Sequence, residues 1–403
     1  MLSGSWVICI TLPGLVPNAS LAAMSYLTRR FLLASLSTSL IAGRARAAAP
    51  QAQPPAPAVT GVVLPLSGDL SLIGDECLRG IHLAAGAVNA AGGIAGKEVA
   101  LVAADAVDQS HVAAAVNGVI GGGHAGVVLG TGASALSYPG SAAAELAQVP
   151  YIELNAPADG LTARGFKFLL RTGPTTSMIG GLAVGAIQSR FAGRKIGLLF
   201  NTGATGGAIA AGVIAALGNA KIPVLLAIGY PEDVTDLYDP VGRFMRAGVE
   251  LVLHAGGPAD VLGFYLAMQE QGWRPGAVIG CGNGYMLRET ADALGAAFDG
   301  TLVIGAPFYP AAAAPIAQAY QAKYGTPPRG ADSLTAYVGA KLVFDTLNAQ
   351  GGSADKLLDV LRKVDIPAGG LANGFGVAFD ASGQNTRSFV TLQRWRGSQL
   401  TPV

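Results

Sequence analysis

From residue 59 onward, short apolar runs that end in glycine or a small polar residue alternate with longer, alanine-rich runs of helical length. The short runs predict strands over 60–64, 99–103, 126–129, 151–154, 195–200, 224–228, 251–254, 277–279 and 301–304. Between them the spacing predicts helices over 76–90, 112–120, 135–147, 176–191, 207–217, 236–247 and 259–271. Strict alternation of this kind gives parallel sheets covered on both faces by helices, an α/β fold. So many strands fit two sheets better than one, with a break near 168–174 where one series stops and another starts. Two further helices, 311–324 and 333–350, interrupt the second series and are expected to return to the first sheet. The expected body is two lobes, 59–169 plus 307–364 and 170–306 plus 365–403. Open α/β sheets bind ligands at the carboxyl ends of their strands, which places a site between the lobes.

The first sixty residues read as an address. Arg29 and Arg30 precede an apolar run to Ile41, and small-x-small sites follow at Ala45-Arg46-Ala47 and Ala47-Ala48-Ala49. Residues 1–49 are therefore expected to be an export signal of the twin-arginine type, beginning in function at Met24. An ordinary secretory signal carrying two arginines leads to the same compartment. Its apolar stretch is shorter than the ~20 residues of a spanning helix. Residues 50–58 are a Pro/Ala tether.

Composition narrows the classes. The chain has 403 residues, 51 % apolar and 13 % charged, with 26 Lys+Arg against 25 Asp+Glu. No basic run marks a nucleic-acid groove, so no nucleic-acid partner is expected. The 57 glycines are twice the usual share of roughly 7 %, which suits tight strand-to-helix turns. Cys9, Cys77 and Cys281 have no zinc-type spacing and make no disulfide scaffold; Cys77 and Cys281 are expected as free thiols near the cleft. No metal site is expected.

Reactive chemistry is sparse. Gly130-Thr131-Gly132-Ala133-Ser134-Ala135 follows a predicted strand and opens a helix, with Glu153 near the next strand end. That is the context of a dinucleotide fingerprint, and an oxidoreductase is one reading of it. The segment lies in the third βα turn and not the first, so the better reading is an anion or carboxylate site at a helix start. No nucleophile elbow, Walker, kinase or zincin signature is present, and His82, His111, His124 and His254 are scattered. No catalytic residue and no cofactor follow.

Val62-Val63-Leu64-Pro65-Leu66-Ser67-Gly68, Arg79-Gly80 and Ala87-Val88-Asn89-Ala90-Ala91-Gly92-Gly93 resemble the opening of leucine/isoleucine/valine-binding proteins. These are type I periplasmic solute-binding proteins of ABC importers. Leu161-Thr162-Ala163-Arg164-Gly165, Gly272-Trp273-Arg274-Pro275 and Gly383-Gln384-Asn385-Thr386-Arg387 extend the resemblance to about Leu400. It implies two Rossmann-like lobes, three crossovers and a hinged cleft that closes on a small molecule. It also implies a membrane permease as partner, a monomer, a periplasmic location and no catalysis. Carried over by position, the family's carboxylate-binding residues fall on Ser134, Ala135, Asn155, Ala156 and Pro157. Its ammonium-binding residues fall on Thr205, Gly257 and Asn283, and a covering aromatic falls on Ile73, with Tyr285 beside. The ammonium half therefore lacks its anion, and an unpaired buried ammonium costs several kcal/mol. The implied ligand is a carboxylate or neutral organic solute and not a standard α-amino acid. A branched-chain amino-acid receptor and a ligand-sensing regulator on the same fold remain the alternatives.

Overall fold

The computed structural model describes residues 59–234 and 236–403; the export signal, the tether and Cys9 lie outside the described residues. The first sheet holds β1 (Val59–Leu64), β2 (Leu101–Asp105), β3 (Ala125–Gly130), β4 (Tyr151–Glu153) and β5 (Leu169–Arg171) in the order β2-β1-β3-β4-β5. All its pairings are parallel. Alternate residues of β1 feed opposite cores, as the period of two requires. Val62 and Leu64 pack with α1 (Ser71–Ala90), and Val63 packs with α2 (Gln109–Gly121) and α3 (Ser134–Ala147).

After β5 the chain crosses into α4 (Thr176–Arg190), β6 (Ile196–Asn201), α5 (Ala204–Asn219), β7 (Leu226–Tyr230), α6 (Tyr238–Ala247) and β8 (Leu251–Ala255). The series continues through α7 (Pro258–Glu270), β9 (Ala277–Cys281), α8 (Arg288–Leu294) and β10 (Leu302–Gly305). It crosses back for α9 (Ala314–Tyr324), α10 (Asp332–Ala349) and α11 (Leu357–Leu361), then returns as β11 (Thr391–Arg396) and β12 (Gln399–Pro402). The second sheet has the order β12-β11-β10-β9-β8-β6-β7. Its core splits across the two faces: Leu199, Val252, Val278 and Val303 face α6 and α7, while Leu198, Leu253, Ile279 and Ile304 face α4 and α5.

Helix α10 returns to the first sheet and lies against α1 in one hydrophobic core. Their approach depends on Gly80, where a Cβ would stand 2.0 Å from the Ser333 carbonyl oxygen.

Several expectations need correction. The segment read as a break does end the first series, but it also contains a strand, β5, which pairs in register with β4. The strands expected over 99–103 and 224–228 lie two residues later, because pairing to β1 starts at Leu101 and pairing to β6 at Leu226. The antiparallel strands β11 and β12 are interrupted by polar residues such as Gln393, Arg394 and Thr401, and a search for continuous apolar runs passes over them. Among the described residues no helix is long and apolar enough to cross a membrane.

Candidate functional site

The carboxyl ends of β3 and β4 face those of β9 and β10, and the loops that leave them meet. The loop after β4 is built around one buried carboxylate. Glu153 is fully buried and folds back onto its own loop, where its Oε1 accepts from the N–H groups of Leu154 at 2.9 Å, Asn155 at 3.0 Å and Ala156 at 2.9 Å. It also accepts from the N–H groups of Thr131 at 2.8 Å and Gly132 at 3.2 Å, and from the Ser137 hydroxyl. Arg171, also buried, holds the carbonyl side of the same loop, donating to Ala156 O at 3.2 Å and Ala158 O at 2.6 Å. Burial pulls this guanidinium down to about 10. Opposite charges thus clamp one loop by its donors and its acceptors, which offsets the cost of burying both.

This changes the reading of the helix start. The Asn155 amide assigned to a ligand oxyanion is already bonded to Glu153. Pro157 has no N–H to offer. The Ser134 hydroxyl accepts from the Ala158 N–H at 3.2 Å, and the Ser134 N–H donates to Thr205 Oγ1 at 3.2 Å. Ser134 and Thr205, expected on opposite walls, therefore touch each other. Ala135 and Ala156 are buried beside them.

The second wall holds further surprises. Gly257 opens α7 by donating to Asp260 Oδ2 at 2.7 Å. A Cβ on Gly284 would lie 2.4 Å from the Gly257 carbonyl, so two backbones approach closely there. Gly282, at φ 125°, turns the chain out of β9 in a conformation that favours glycine. Tyr285 does not face the cleft. Its ring is fully buried, its hydroxyl bonds His254 Nδ1 at 2.7 Å, and its carbonyl accepts from Trp395 Nε1 at 2.8 Å. His254, near the end of β8, lies between the hydroxyls of Tyr285 and Tyr230, and burial lowers its pKa to about 3. Ile73 is likewise a core residue of α1, 2 % exposed.

What remains between the lobes is a cavity of about 50 Å³. Of the expected residues, Asn155, Pro157 and Asn283 line it, and the other lining side chains include Ile179, Ile209, Met286, Ile304 and Val390. This volume admits a few waters at one water per ~10–15 Å³, so an organic solute needs the lobes to part. A larger open groove, about 780 Å³, lies at the opposite, amino ends of β3 to β5 beside Phe166, Lys167 and Arg362. It is away from the strand ends where such sheets bind ligands.

The sequence reading missed Asp332, the first residue of α10, which lines the cavity. Burial, and then the neighbouring charge of Glu76, push its carboxyl up to about 7. Asn155 ties this corner together, its side-chain N–H donating to Asp332 O at 3.1 Å and to Cys77 Sγ at 3.0 Å. Cys77 and Cys281 are free and buried, and burial pushes the Cys281 thiol up to about 12. An acidic residue at a helix start reads from sequence as an ordinary first-turn charge, so no signal marked Asp332. Among the described residues no group of three His, Cys, Asp or Glu side chains could hold a metal ion.

A seam of charge joins the lobes beside the cavity. Arg329, between α9 and α10, pairs with Asp75 of α1 at 2.6 Å and with Glu289 of α8. Its N–H and that of Gly330 donate to Glu76, at 3.1 Å and 3.2 Å.

The comparisons agree with this architecture. The model of a family described as periplasmic binding protein matches residues 59–399. The Leu/Ile/Val-binding protein homolog 8 of Brucella abortus (strain 2308) is 35 % identical over 360 residues, covering 85 % of this chain and 89 % of the relative. Homolog 7 of Brucella suis biovar 1 is 32 % identical, covering 93 % and 96 %. Among solved structures, the LivJ substrate-binding protein from Streptococcus pneumoniae in complex with isoleucine superposes with a TM-score of 0.76 at 20 % identity, covering 86 % of this chain and 98 % of that one. An R. palustris solute-binding protein in complex with benzoate gives 0.74 at 19 %, covering 86 % and 96 %. Two α/β lobes, three crossings and a matched family model over almost all the described residues lead to one conclusion: the chain belongs to the periplasmic binding protein family.

Proposed function

We propose that this protein is exported through its twin-arginine signal, captures a small organic solute between its lobes, and delivers it as a monomer to the membrane permease of an ABC importer. The observation that carries the reading is the cavity at the carboxyl ends of the strands, walled by Pro157, Ile179, Ile209, Met286, Ile304 and Val390 and edged by Asn155, Asn283 and Asp332. Such walls suit an apolar body with few polar groups.

Of the two ligand chemistries expected, the carboxylate has the poorer support. Glu153 holds the amides that a ligand carboxylate would use, and the cavity has no cationic side chain to replace them. The names of the Brucella relatives favour a second reading, a branched-chain amino acid, whose carboxylate would have to win the Ser134 N–H from Thr205.

Native mass spectrometry of the mature protein, incubated with a mixture of amides, amines, alcohols, carboxylates and amino acids, tests both. One solute per chain, with a smaller radius of gyration in X-ray scattering, is expected. Retention of no solute from any class would overturn the receptor reading, and selective retention of leucine or isoleucine would favour the second.

A further inference from the structure

We propose that Asp332 is the specificity-determining group of the cleft, its carboxylate accepting hydrogen bonds from a positively charged, N–H-bearing head group on a solute with an apolar body. The inference rests on the solute-receptor reading above and names the ligand chemistry of that same site.

The argument is one of complementarity. Asn155, Asn283, Thr335 and Asp332 supply the polar side chains that line the cavity, and Asp332 alone among these lining residues is ionisable. Its carboxylate meets no other side chain, only its own backbone N–H. A lone carboxylate in a small, mostly apolar space is costly unless something pairs with it. Nothing of the chain's own does so. Arg329, three residues before it in the chain, is committed to Asp75 and Glu289, and the charge that bears on Asp332 from α1 is the like charge of Glu76. Glu76 itself is satisfied by the Ser333 and Tyr320 hydroxyls and by the Arg329 and Gly330 amides. Cys77, which also faces this corner from α1, is held as a thiol by burial. The site is therefore a negative centre with no internal counter-charge, set among mostly apolar walls. An ammonium or amidinium supplies what is missing, and a carboxylate would meet repulsion.

The raised pKa of Asp332 adds a consequence. Below pH 7 the group is largely protonated, so a cationic solute has to drive off that proton, and its binding strengthens as pH rises from 6 to 8. Glu76 and Cys77 of α1 are the titratable groups that interact with it, and burial raises both in the same direction.

Benzylamine, benzyl alcohol and benzoate share one apolar body and differ in their head group, which makes them suitable probes. In calorimetry on the mature protein at pH 8, benzylamine is expected to bind at least tenfold more tightly than benzoate. Asp332→Asn keeps the shape and removes the charge; it is expected to weaken benzylamine by about ten- to a hundredfold while leaving benzyl alcohol within about twofold. Benzylamine binding should fall severalfold at pH 6. Absence of benzylamine binding, a preference for benzoate, or benzylamine binding untouched in Asp332→Asn would each overturn the assignment. Tight benzoate binding with lobe closure would do so while leaving the solute-receptor reading intact.

Discussion

Glu153 organises more backbone than any other side chain in the cleft. Its carboxylate holds amides from two loops, at Thr131, Gly132, Leu154, Asn155 and Ala156. Glu153→Ala leaves those donors buried without partners, and chemical denaturation should show a loss of about 3 kcal/mol or more. Asp332 acts in the opposite sense. Its folded-state pKa of about 7 lies above the ordinary 3.8, so the folded state holds a proton that the unfolded state releases. Stability from this group is full below about pH 4 and is lost as pH rises through 7. Asp332→Asn should therefore be more stable than the parent at pH 8, by on the order of 2 kcal/mol after discounting for partial solvent access. The difference should vanish near pH 4, and urea melts at the two pH values check it. Such residues show where sequence reading stops. Ser134, Thr205 and Asn283 were legible as residues just past strand ends, where helices or turns begin. That Glu153 reaches back to its own loop, or that Tyr285 turns inward to His254, depends on side-chain directions that no spacing encodes.

Elements were more legible than their edges. Glycine-terminated apolar runs marked most strands, because a parallel strand buried on both faces has to be apolar throughout. Strands β11 and β12 escaped because polar residues break up their apolar positions, and β5 because its two leucines lie between Lys167 and Arg171. The late helices were expected to return to the first sheet, but the pairing of α10 with α1, far apart in sequence, was not foreseen. What permits it is one small residue. Gly80→Ala drives a methyl into the Ser333 carbonyl, and the helices have to separate. A loss of about 2 kcal/mol is expected, with a lower midpoint in thermal melting and altered near-ultraviolet dichroism.

For the molecule as a whole, Arg329 stands where lobe motion has to pass. It bonds α1 through Asp75 and α8 through Glu289, one contact on each lobe. Pairs this exposed contribute modestly, about 1 kcal/mol, yet that is enough to move an open–closed equilibrium roughly fivefold. Arg329→Gln should raise the radius of gyration measured by X-ray scattering without lowering helix content. An unchanged radius would show that the Ser134–Thr205 contact and the core carry closure. At this scale the sequence spoke most clearly, because its ordered motifs from Val62 to Arg387 specify a family. The chemistry inside the cleft was obscure, because residues expected to cover the ligand, Ile73 and Tyr285, are spent on the cores.

The clamp on the β4 loop implies an engineering route. Because Glu153 occupies a ring of amides from the inside, Glu153→Ala would empty an oxyanion hole without removing its donors. Formate or acetate could enter it, and millimolar formate should then restore the melting temperature of the variant where chloride does not. Such chemical rescue would turn a structural carboxylate into a vacancy of defined shape, and the same scaffold into a sensor for short fatty acids.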